Sequence, residues 1–472
     1  MTRRELAGLA LLFVVSLPAV TARLYSSDEV QYFSYLRSLY FDQDVSFENE
    51  YLYFEAHAIA QSEGYHETFL ERETAAGRRV NYGTMGAAIL WAPFYATADA
   101  WARLSGTAEA NGFTQPYVSA VAYGSAFYGF LAVLLSIRAA RIIIRERMGN
   151  GRGPQGDAGT LLAGLAVWLG TPLLFYMYVA PPFSHACSAF AVALFVTVWL
   201  HVRPAWTPAG TLALGLAAAL VAMVREQDAF VVLGPAVDFV WTACLSARRA
   251  PPPRARRPRA LLISSGIAGI AGTMLGYTPQ LLAYDALNGY PGPAEHVARK
   301  MYWYAPHGLQ VLGSPHHGFF FWTPLAALAL AGLFALKQRR IAVCLLIMAA
   351  SQVYVAGSVE SWTVAGAFGQ RRFVCLTPIL VIGLAGLWQA VAVRTDAAGT
   401  KSRVYGSAAV ILLCVWWNVA LMAQFATRLM DRQRLEPARN AYHAFVTLPL
   451  TGPSLAWRYL TDRSSFYDSR RP

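Results

Sequence analysis

Two adjacent acids, Asp28 and Glu29, are the residues of this sequence best placed to do chemistry. They follow the first apolar segment, in the stretch Leu24-Tyr25-Ser26-Ser27-Asp28-Glu29. A chain that leaves a bilayer enters the headgroup region at such a point, and a carboxylate held there can act as a general base on a lipid-borne substrate. The same acids also suit the first turn of a helix capped by Ser27 or Asp28, where they favour the helix dipole. The residues alone fit both roles.

Four further charged or ionisable residues lie at the ends of later apolar segments. Arg225 and His185 each lie at one such end, and Arg371 with Arg372 opens another. Burying these groups is costly unless they are paired or have a function. Arginine presents a planar fork of donors that matches phosphate oxygens. These positions therefore indicate either a cationic cradle for a phosphate or a network of internal ion pairs.

The composition indicates which elements must position these side chains. Of the 472 residues, 56% are hydrophobic and only 14% are charged, with a mean hydropathy of +0.36; a soluble domain carries about 25% charged residues. The formal charge of +12 comes from short Lys and Arg clusters between apolar spans, a pattern typical of orientation signals rather than of nucleic-acid binding. The chain is predicted to be an all-α polytopic membrane protein.

Windows of about 20 apolar residues predict eleven transmembrane helices. The predicted spans are 5–22, 117–137, 159–179, 183–202, 208–224, 228–246, 260–285, 318–336, 340–357, 373–393 and 406–424. A twelfth apolar stretch, 86–104, is interpreted as an amphipathic helix on the outer surface, with Trp91, Phe94, Tyr95 and Trp101 at the interface. Counting it as a span would place the Arg138–152 cluster outside, against the positive-inside rule.

The charge distribution predicts the orientation. About half of the 39 basic residues fall in the short alternate loops that begin with Arg3 and Arg4, and most of the 27 acids fall on the other side, many of them between Asp28 and Glu109. We therefore expect a cytoplasmic N-terminus and an active site on the extracytoplasmic side of the plasma (inner) membrane. The first segment also fits a cleavable signal peptide ending near Ala22; a retained helix is favoured, because it holds the adjacent acids at the surface.

The predicted organisation is a transmembrane module over residues 1–424 and a short outer tail over 425–472. The module has a large first outer loop, 23–116, and a middle outer loop, 286–317. Apolar and aromatic residues recur at helical spacing from Glu29 to Phe41, which predicts a second helix lying on the membrane surface.

Several kinds of site are not indicated by the sequence. It contains no P-loop, no dinucleotide glycine fingerprint and no internal repeat, so no nucleotide cofactor is expected. The five cysteines lack the spacing of a disulfide framework or a metal site. Most of the nine histidines fall on the outer side but lack regular zinc-ligand spacing. No metal is required, although the acidic first loop leaves a divalent cation open.

Short motifs along the first ten spans resemble the GT-C membrane glycosyltransferases, in particular the protein O-mannosyltransferase and aminoarabinose-transferase group. The motifs are Ser26-Ser27-Asp28-Glu29, Gly83-Thr-Met-Gly86 followed by Trp91-Ala-Pro93-Phe94, Ser184-His185-Ala186, Val224-Arg225-Glu226-Gln227-Asp228, Ser314-Pro-His-His-Gly318 followed by Trp322-Thr-Pro324, and Phe368-Gly369-Gln370-Arg371-Arg372-Phe373. Each is short, and their order and their placement on one membrane face carry the resemblance.

The resemblance implies transfer of a sugar from a polyprenyl-phosphate donor to an acceptor hydroxyl, with inversion at the anomeric carbon. By position Asp28 is the base, with Glu29 beside it. Candidate ligands of the donor phosphate are Arg225, Arg371, Arg372, His185 and Lys300. A second acid of the first loop cannot be aligned, because Asp42, Asp44, Glu48, Glu50 and Glu55 all fit. The tail lacks the large soluble domain that some members carry, so the acceptor is unassigned.

The main alternative is a transporter or flippase of a lipid-linked saccharide, which also needs a cationic groove. Transporters typically show repeated halves and ionisable groups near the midplane; here Asp238 is the only acid well inside a predicted span. The expected partners are the lipid-linked donor, membrane lipids and an acceptor of unknown class, without nucleic acid.

Overall fold

Helices are the main secondary structure throughout the described part of the chain. The computed structural model describes residues 1–59, 64–148, 154–248, 259–364, 366–393 and 400–466. These ranges contain no strand, only isolated bridges between Glu73 and Arg79 and between Met301 and Val359. The predicted all-α fold class is confirmed.

Twenty α-helices follow one another in the described ranges. They are α1 (Arg3–Ser16), α2 (Ser27–Arg37), α3 (Glu48–Ala56), α4 (Gly86–Ser105), α5 (Gln115–Met148), α6 (Pro154–Gly170), α7 (Leu173–Tyr178), α8 (His185–Val202), α9 (Pro208–Val224), α10 (Leu233–Arg248), α11 (Arg259–Asn288), α12 (Glu295–Arg299), α13 (Gly308–Gly313), α14 (Phe319–Trp322), α15 (Pro324–Leu333), α16 (Arg339–Ser358), α17 (Thr377–Val393), α18 (Thr400–Ala426), α19 (Pro437–Tyr442) and α20 (Leu448–Thr461). Short 3₁₀ segments at Glu226–Val232 and Arg371–Leu376 lead into α10 and α17.

Seven described helices are long and apolar enough to cross a membrane, by length and composition. They are Gln115–Arg145, His185–Val202, Glu226–Leu245, Arg259–Asn288, Arg339–Ser358, Arg371–Val391 and Val404–Ala426. Shorter apolar helices occupy Asp157–Gly170, Pro208–Val224 and Pro324–Leu333. Each of the eleven predicted spans overlaps one or more helices. A multi-span membrane protein is therefore supported, whereas the count of eleven stays a prediction.

The structure of the first loop differs from the prediction that its helices lie on the membrane surface. Helix α4 is present, but Trp91 and Tyr95 are fully buried; the Trp91 indole donates to Ser125 Oγ at 2.8 Å. Of the four aromatic residues predicted at the interface, Trp101 is the most exposed, at 61%. In α2, Val30, Phe33, Tyr35 and Leu36 are also buried. The aromatic residues of the loop pack against one another and against α5, so helical spacing marked a core-facing side rather than a membrane-facing one.

Close helix contacts fix the two segments that carry the arginines. Gly383 of α17 lies so near α15 that a Cβ there would be 2.0 Å from the carbonyl oxygen of Ala329. Gly86, at the start of α4, faces the end of α9, where a Cβ would be 2.4 Å from the carbonyl carbon of Met223. Small residues allow this approach of helix backbones in membranes. These contacts hold α17 and α9, and thus the segments at Arg371 and Arg225.

Replacing Gly86 with alanine is expected to lower the free energy of unfolding by about 1–3 kcal/mol, the usual effect of overpacking. The added methyl group would meet backbone atoms of Met223 and Val224, which cannot rotate away. Thermal unfolding of the purified protein in detergent measures the change. Gly406→Ala is the matched control, because no atom of the described residues lies within 4 Å of a Cβ at that position of α18. Equal melting temperatures for the two variants would contradict this packing.

A buried ion-pair cluster joins α8, α10 and α16 at the end of the helices opposite Arg225. Asp238 is fully buried and pairs with Arg203 at 3.0 Å and with Arg340 at 2.5 Å. The indole nitrogen of Trp199 donates to the same carboxylate at 3.0 Å. The one acid well inside a predicted span is thus a paired link between helices.

Candidate functional site

A small cavity collects the motif residues from five separate segments. Its volume is about 150 Å³. It is lined by Asp28, Gln31, Tyr32, Tyr82, Gly83, Phe183, Arg225, Gln227, Arg371 and Arg372. Five segments meet here: the start of α2, the turn before α4, the turn before α8, the end of α9 and the start of the 371–376 segment. Four of the seven predicted site residues, Asp28 and the three arginines, therefore share one cavity.

Asp28 is placed by the capped start of α2. Ser26 is the N-cap: its hydroxyl accepts from the Glu29 amide, and the Glu29 carboxylate accepts from the Ser26 amide, forming a capping box. The cap thus lies at Ser26, one residue before the earliest predicted position. Asp28 in this first turn keeps a side chain that is 41% exposed, and its Oδ2 lies 2.9 Å from Nη1 of Arg371. The carboxylate is held at the cavity yet remains accessible.

Glu29 points away from the cavity, into the protein. Its Oε2 accepts from the backbone amides of Tyr25 at 2.8 Å and Ser26 at 3.0 Å. The residue is fully buried, and burial raises the pKa of its carboxyl to about 8. The predicted place of Glu29 in the first turn of a capped helix is confirmed, with Ser26 as the cap instead of Ser27 or Asp28. A catalytic role for Glu29 beside Asp28 stays a prediction; its observed contacts position the turn that carries Asp28.

Replacing Glu29 with glutamine is expected to remove a pH dependence of stability. Because burial raises the folded-state pKa from an ordinary 4.5 to about 8, the folded protein binds this proton more tightly than the unfolded chain does. That stabilisation is complete below about pH 4.5 and is lost as the pH rises through about 8. Wild type should therefore lose at least about 1 kcal/mol, the equivalent of one pKa unit, between pH 5 and pH 8.

The test compares melting temperatures of wild type and Glu29→Gln in one detergent at the two pH values. Glutamine keeps an acceptor for the capping box, so the variant should stay folded, while all other titrating groups remain in both proteins. Glu295→Gln, at an exposed carboxylate, is the control. If wild type and Glu29→Gln show the same change with pH, the burial of a protonated Glu29 is wrong.

Three arginines face the cavity, and two acids of the described ranges pair with them. Arg371 pairs with Asp28 and lies over the Phe183 ring, with 5.3 Å between the guanidinium carbon and the ring centroid. Arg225 ends α9, where its Nε lies 3.4 Å from Oδ2 of the buried Asp228.

Arg372 is held by neutral groups. Its guanidinium donates to the carbonyl and hydroxyl oxygens of Ser361, at 2.9 and 3.1 Å. The three guanidinium groups and two carboxylates leave an excess of one positive charge at a polar cavity. Such an arrangement is suited to an anion with several oxygens, such as a phosphate.

A glutamate beside Arg225 anchors this wall of the cavity from behind. Glu226 Oε1 accepts from the hydroxyls of Tyr277 at 2.7 Å and Tyr284 at 2.8 Å, both on α11. Arg225 and Gln227, on either side of it, line the cavity and contact each other at 3.2 Å. The acid therefore turns the segment so that its two neighbours face the cavity.

Two of the predicted phosphate ligands do not line this cavity. His185 is buried behind it, with its ring 4.5 Å from the Tyr176 ring and 5.6 Å from the Phe183 ring. Lys300 follows α12 in the middle loop, where its carbonyl accepts from the Glu360 amide at 2.8 Å. Sequence position placed both near the outer face, and neither is among the residues that line the cavity of the three arginines.

The candidate second acids of the first loop have other partners. Arg37 pairs with Asp42 and with Glu50, the latter at 2.9 Å. Asp44 accepts from the Ser38 hydroxyl at 2.8 Å. The remaining two pair with basic groups of the same loop: Glu48 with Arg79 and Glu55 with His66. None of the five lines the cavity, so Asp28 is the one acid among its lining residues.

Several lining residues were not predicted from the sequence. Gln31 and Tyr32 lie three and four residues after Asp28, so helical spacing puts them on the same face of α2; that signal was available. Tyr82 directly precedes the glycine motif but is not among the predicted site residues. Its amide donates to Gln31 Oε1 at 2.7 Å, which fixes the turn against α2.

The described residues contain no group of three or more His, Cys, Asp or Glu side chains that could hold a metal ion. The five cysteines are free thiols.

Comparisons with known proteins find similarity among solved structures. No family model and no curated protein matches the chain. The chain is similar to ArnT from Cupriavidus metallidurans bound to undecaprenyl phosphate, with 17% identity and a TM-score of 0.49 over 98% of this chain and 77% of that chain. The apo structure of ArnT gives 15% identity and a TM-score of 0.47 over 97% and 78%.

Proposed function

We propose that this protein is an inverting glycosyltransferase that moves a sugar from a polyprenyl-phosphate donor to an acceptor hydroxyl at the outer membrane face. The observation that carries the proposal is the single cavity in which one accessible carboxylate, Asp28, faces three arginines. Phosphoryl leaving groups need cations, and an attacking hydroxyl needs a base. Both requirements are met by residues that line the same space.

In the proposed reaction, the donor phosphate occupies the arginine side of the cavity. A phosphate oxygen competes with Asp28 for Arg371, so donor binding releases the carboxylate from its ion pair. The pair at 2.9 Å is then the resting state of the base. This arrangement couples the availability of the base to the presence of the donor.

The acceptor hydroxyl is proposed to attack the anomeric carbon from the side opposite the phosphate. As the new bond between the acceptor oxygen and C1 forms, the hydroxyl proton passes to Asp28. The bond between C1 and the phosphate oxygen breaks, and the polyprenyl phosphate leaves with its electron pair. Arg225, Arg371 and Arg372 stabilise the charge that grows on the leaving phosphate. One displacement inverts the configuration at C1.

Release of the polyprenyl phosphate leaving group distinguishes a glycosyltransferase from a transporter of the intact donor. We expect purified protein in proteoliposomes to release polyprenyl phosphate from a labelled polyprenyl-phosphate sugar when a suitable acceptor is present. The glycosidic bond formed should have the opposite anomeric configuration to the donor, measured by NMR of the product. Movement of intact donor between leaflets, without cleavage across a panel of sugars and acceptors, would instead establish a flippase.

A further inference from the structure

A groove at the opposite end of the helices from the candidate site is open to the region that the membrane would occupy. It has a volume of about 670 Å³ and lies between α1, α5 and α8. That size falls within the range of ligand pockets, about 300–1,000 Å³. Its walls include Leu131, Leu134 and Leu135 of α5 with Phe190 and Leu194 of α8. These five side chains are only partly buried, so they offer an apolar surface to a hydrocarbon chain.

The mouth of the groove is basic. Arg138, Arg141 and Arg145 succeed one another along α5, and all three line it. Arg141 is occupied by Glu5, at 2.9 Å, and Arg145 by Asp157, at 2.7 Å. Arg138 is exposed and has no acidic partner within the described ranges. One cation of the three is therefore available to a ligand.

A histidine orients the available cation. Nδ1 of His201 lies 2.7 Å from the carbonyl oxygen of Thr197, and since a carbonyl only accepts, Nδ1 is the donor. Nε2 is then left as an acceptor, 3.4 Å from Nη2 of Arg138. The contact joins α8 to α5 across the groove. It holds the guanidinium at the mouth with its remaining donors free.

We propose that this groove binds an anionic phospholipid, with its acyl chains along the leucine wall and its phosphate on Arg138. The walls belong to two predicted spans, and Arg138 and His201 lie at the ends predicted to face the cytoplasm. Anionic lipids are enriched in that leaflet and are attracted by basic residues at helix ends. A free phosphate would not bind the apolar walls, and an apolar chain alone would not interact with Arg138.

The test is native mass spectrometry of the full-length protein in detergent, titrated with phosphatidylglycerol or with phosphatidylcholine of the same acyl chains. Wild type should retain phosphatidylglycerol about fivefold more strongly, the effect of one cation near a membrane surface. Arg138→Gln should lower phosphatidylglycerol to the level of phosphatidylcholine. Arg299→Gln, at an exposed arginine of α12, should leave the preference intact.

A second pair of variants tests the apolar walls. Leu134→Trp fills the groove and should reduce retention of both lipids, whereas Leu412→Trp, at an exposed position of α18, should not. The proposal is overturned if wild type does not discriminate between the two lipids, or if Arg138→Gln keeps the preference. Wild-type retention in Leu134→Trp would overturn the placement of the chains.

Discussion

Replacing Asp28 with asparagine is expected to lower the rate of sugar transfer by about 10²–10⁴-fold, the usual contribution of a general base. Asparagine has the shape of aspartate but cannot accept the hydroxyl proton. The substitution should leave the protein folded, because the side chain is 41% exposed and the cap of α2 depends on Ser26 and Glu29. Initial rates with saturating donor measure the loss.

Measuring donor binding distinguishes a variant that has lost only the catalytic base from one whose binding site is disrupted. Asp28→Asn removes the carboxylate that competes for Arg371, so its affinity for the polyprenyl-phosphate donor should be equal to or tighter than that of wild type. Binding is measured by titration of the donor in nanodiscs. Glu295→Gln is the matched control, since it removes an exposed carboxylate of the middle loop. Wild-type turnover by Asp28→Asn would show that another group is the base.

Replacing Arg371 with glutamine is expected to weaken donor binding by about 10–100-fold, because a hydrogen bond to a charged group contributes about 1.5–3 kcal/mol. Its guanidinium is the cation next to Asp28, at 2.9 Å, so it links the phosphate to the base. The catalytic rate should fall as well, since charge grows on the leaving phosphate. Arg371→Lys should recover part of the loss, because it keeps the charge but not the planar fork.

The controls for Arg371 distinguish phosphate binding from loss of structure. Arg299→Gln removes an exposed arginine, 73% accessible, and should not change the KM for the donor. The effects of Asp28→Asn and Arg371→Gln on donor binding should not be additive in the double variant, because the two residues contact each other. Unchanged donor affinity in both Arg371→Gln and Arg225→Gln would place the phosphate elsewhere.

The parts of the fold and site that could be predicted from sequence follow local rules. Apolar windows located helices, because a span must satisfy its own backbone hydrogen bonds. Ser26 and Glu29 form a capping box, which the four-residue pattern Ser-x-x-Glu predicts. The sequence predicts a role for Arg225 and Arg371 because burying a charge at a span end is costly without a partner. These signals need only neighbouring residues.

The rest depends on contacts between distant segments. Trp91 and Tyr95 have the composition of an interfacial helix, and only packing of the first loop against α5 buries them. The sequence could not distinguish Lys300 from the three arginines, because the path of the middle loop decides whether this lysine lines the cavity. Tyr82 reaches the cavity through its bond to Gln31, fifty-one residues earlier. No periodicity within one segment encodes such pairings.

Release of polyprenyl phosphate from lipid-linked sugars by purified protein in nanodiscs tests directly whether Asp28 belongs to a transferase site. Wild type and Asp28→Asn are compared across a small panel of polyprenyl-phosphate sugars and acceptors. Wild type should release polyprenyl phosphate from at least one donor, whereas Asp28→Asn should lose nearly all release and still bind the donor. Binding of donors by both proteins without release from any of them would contradict a transferase site at Asp28.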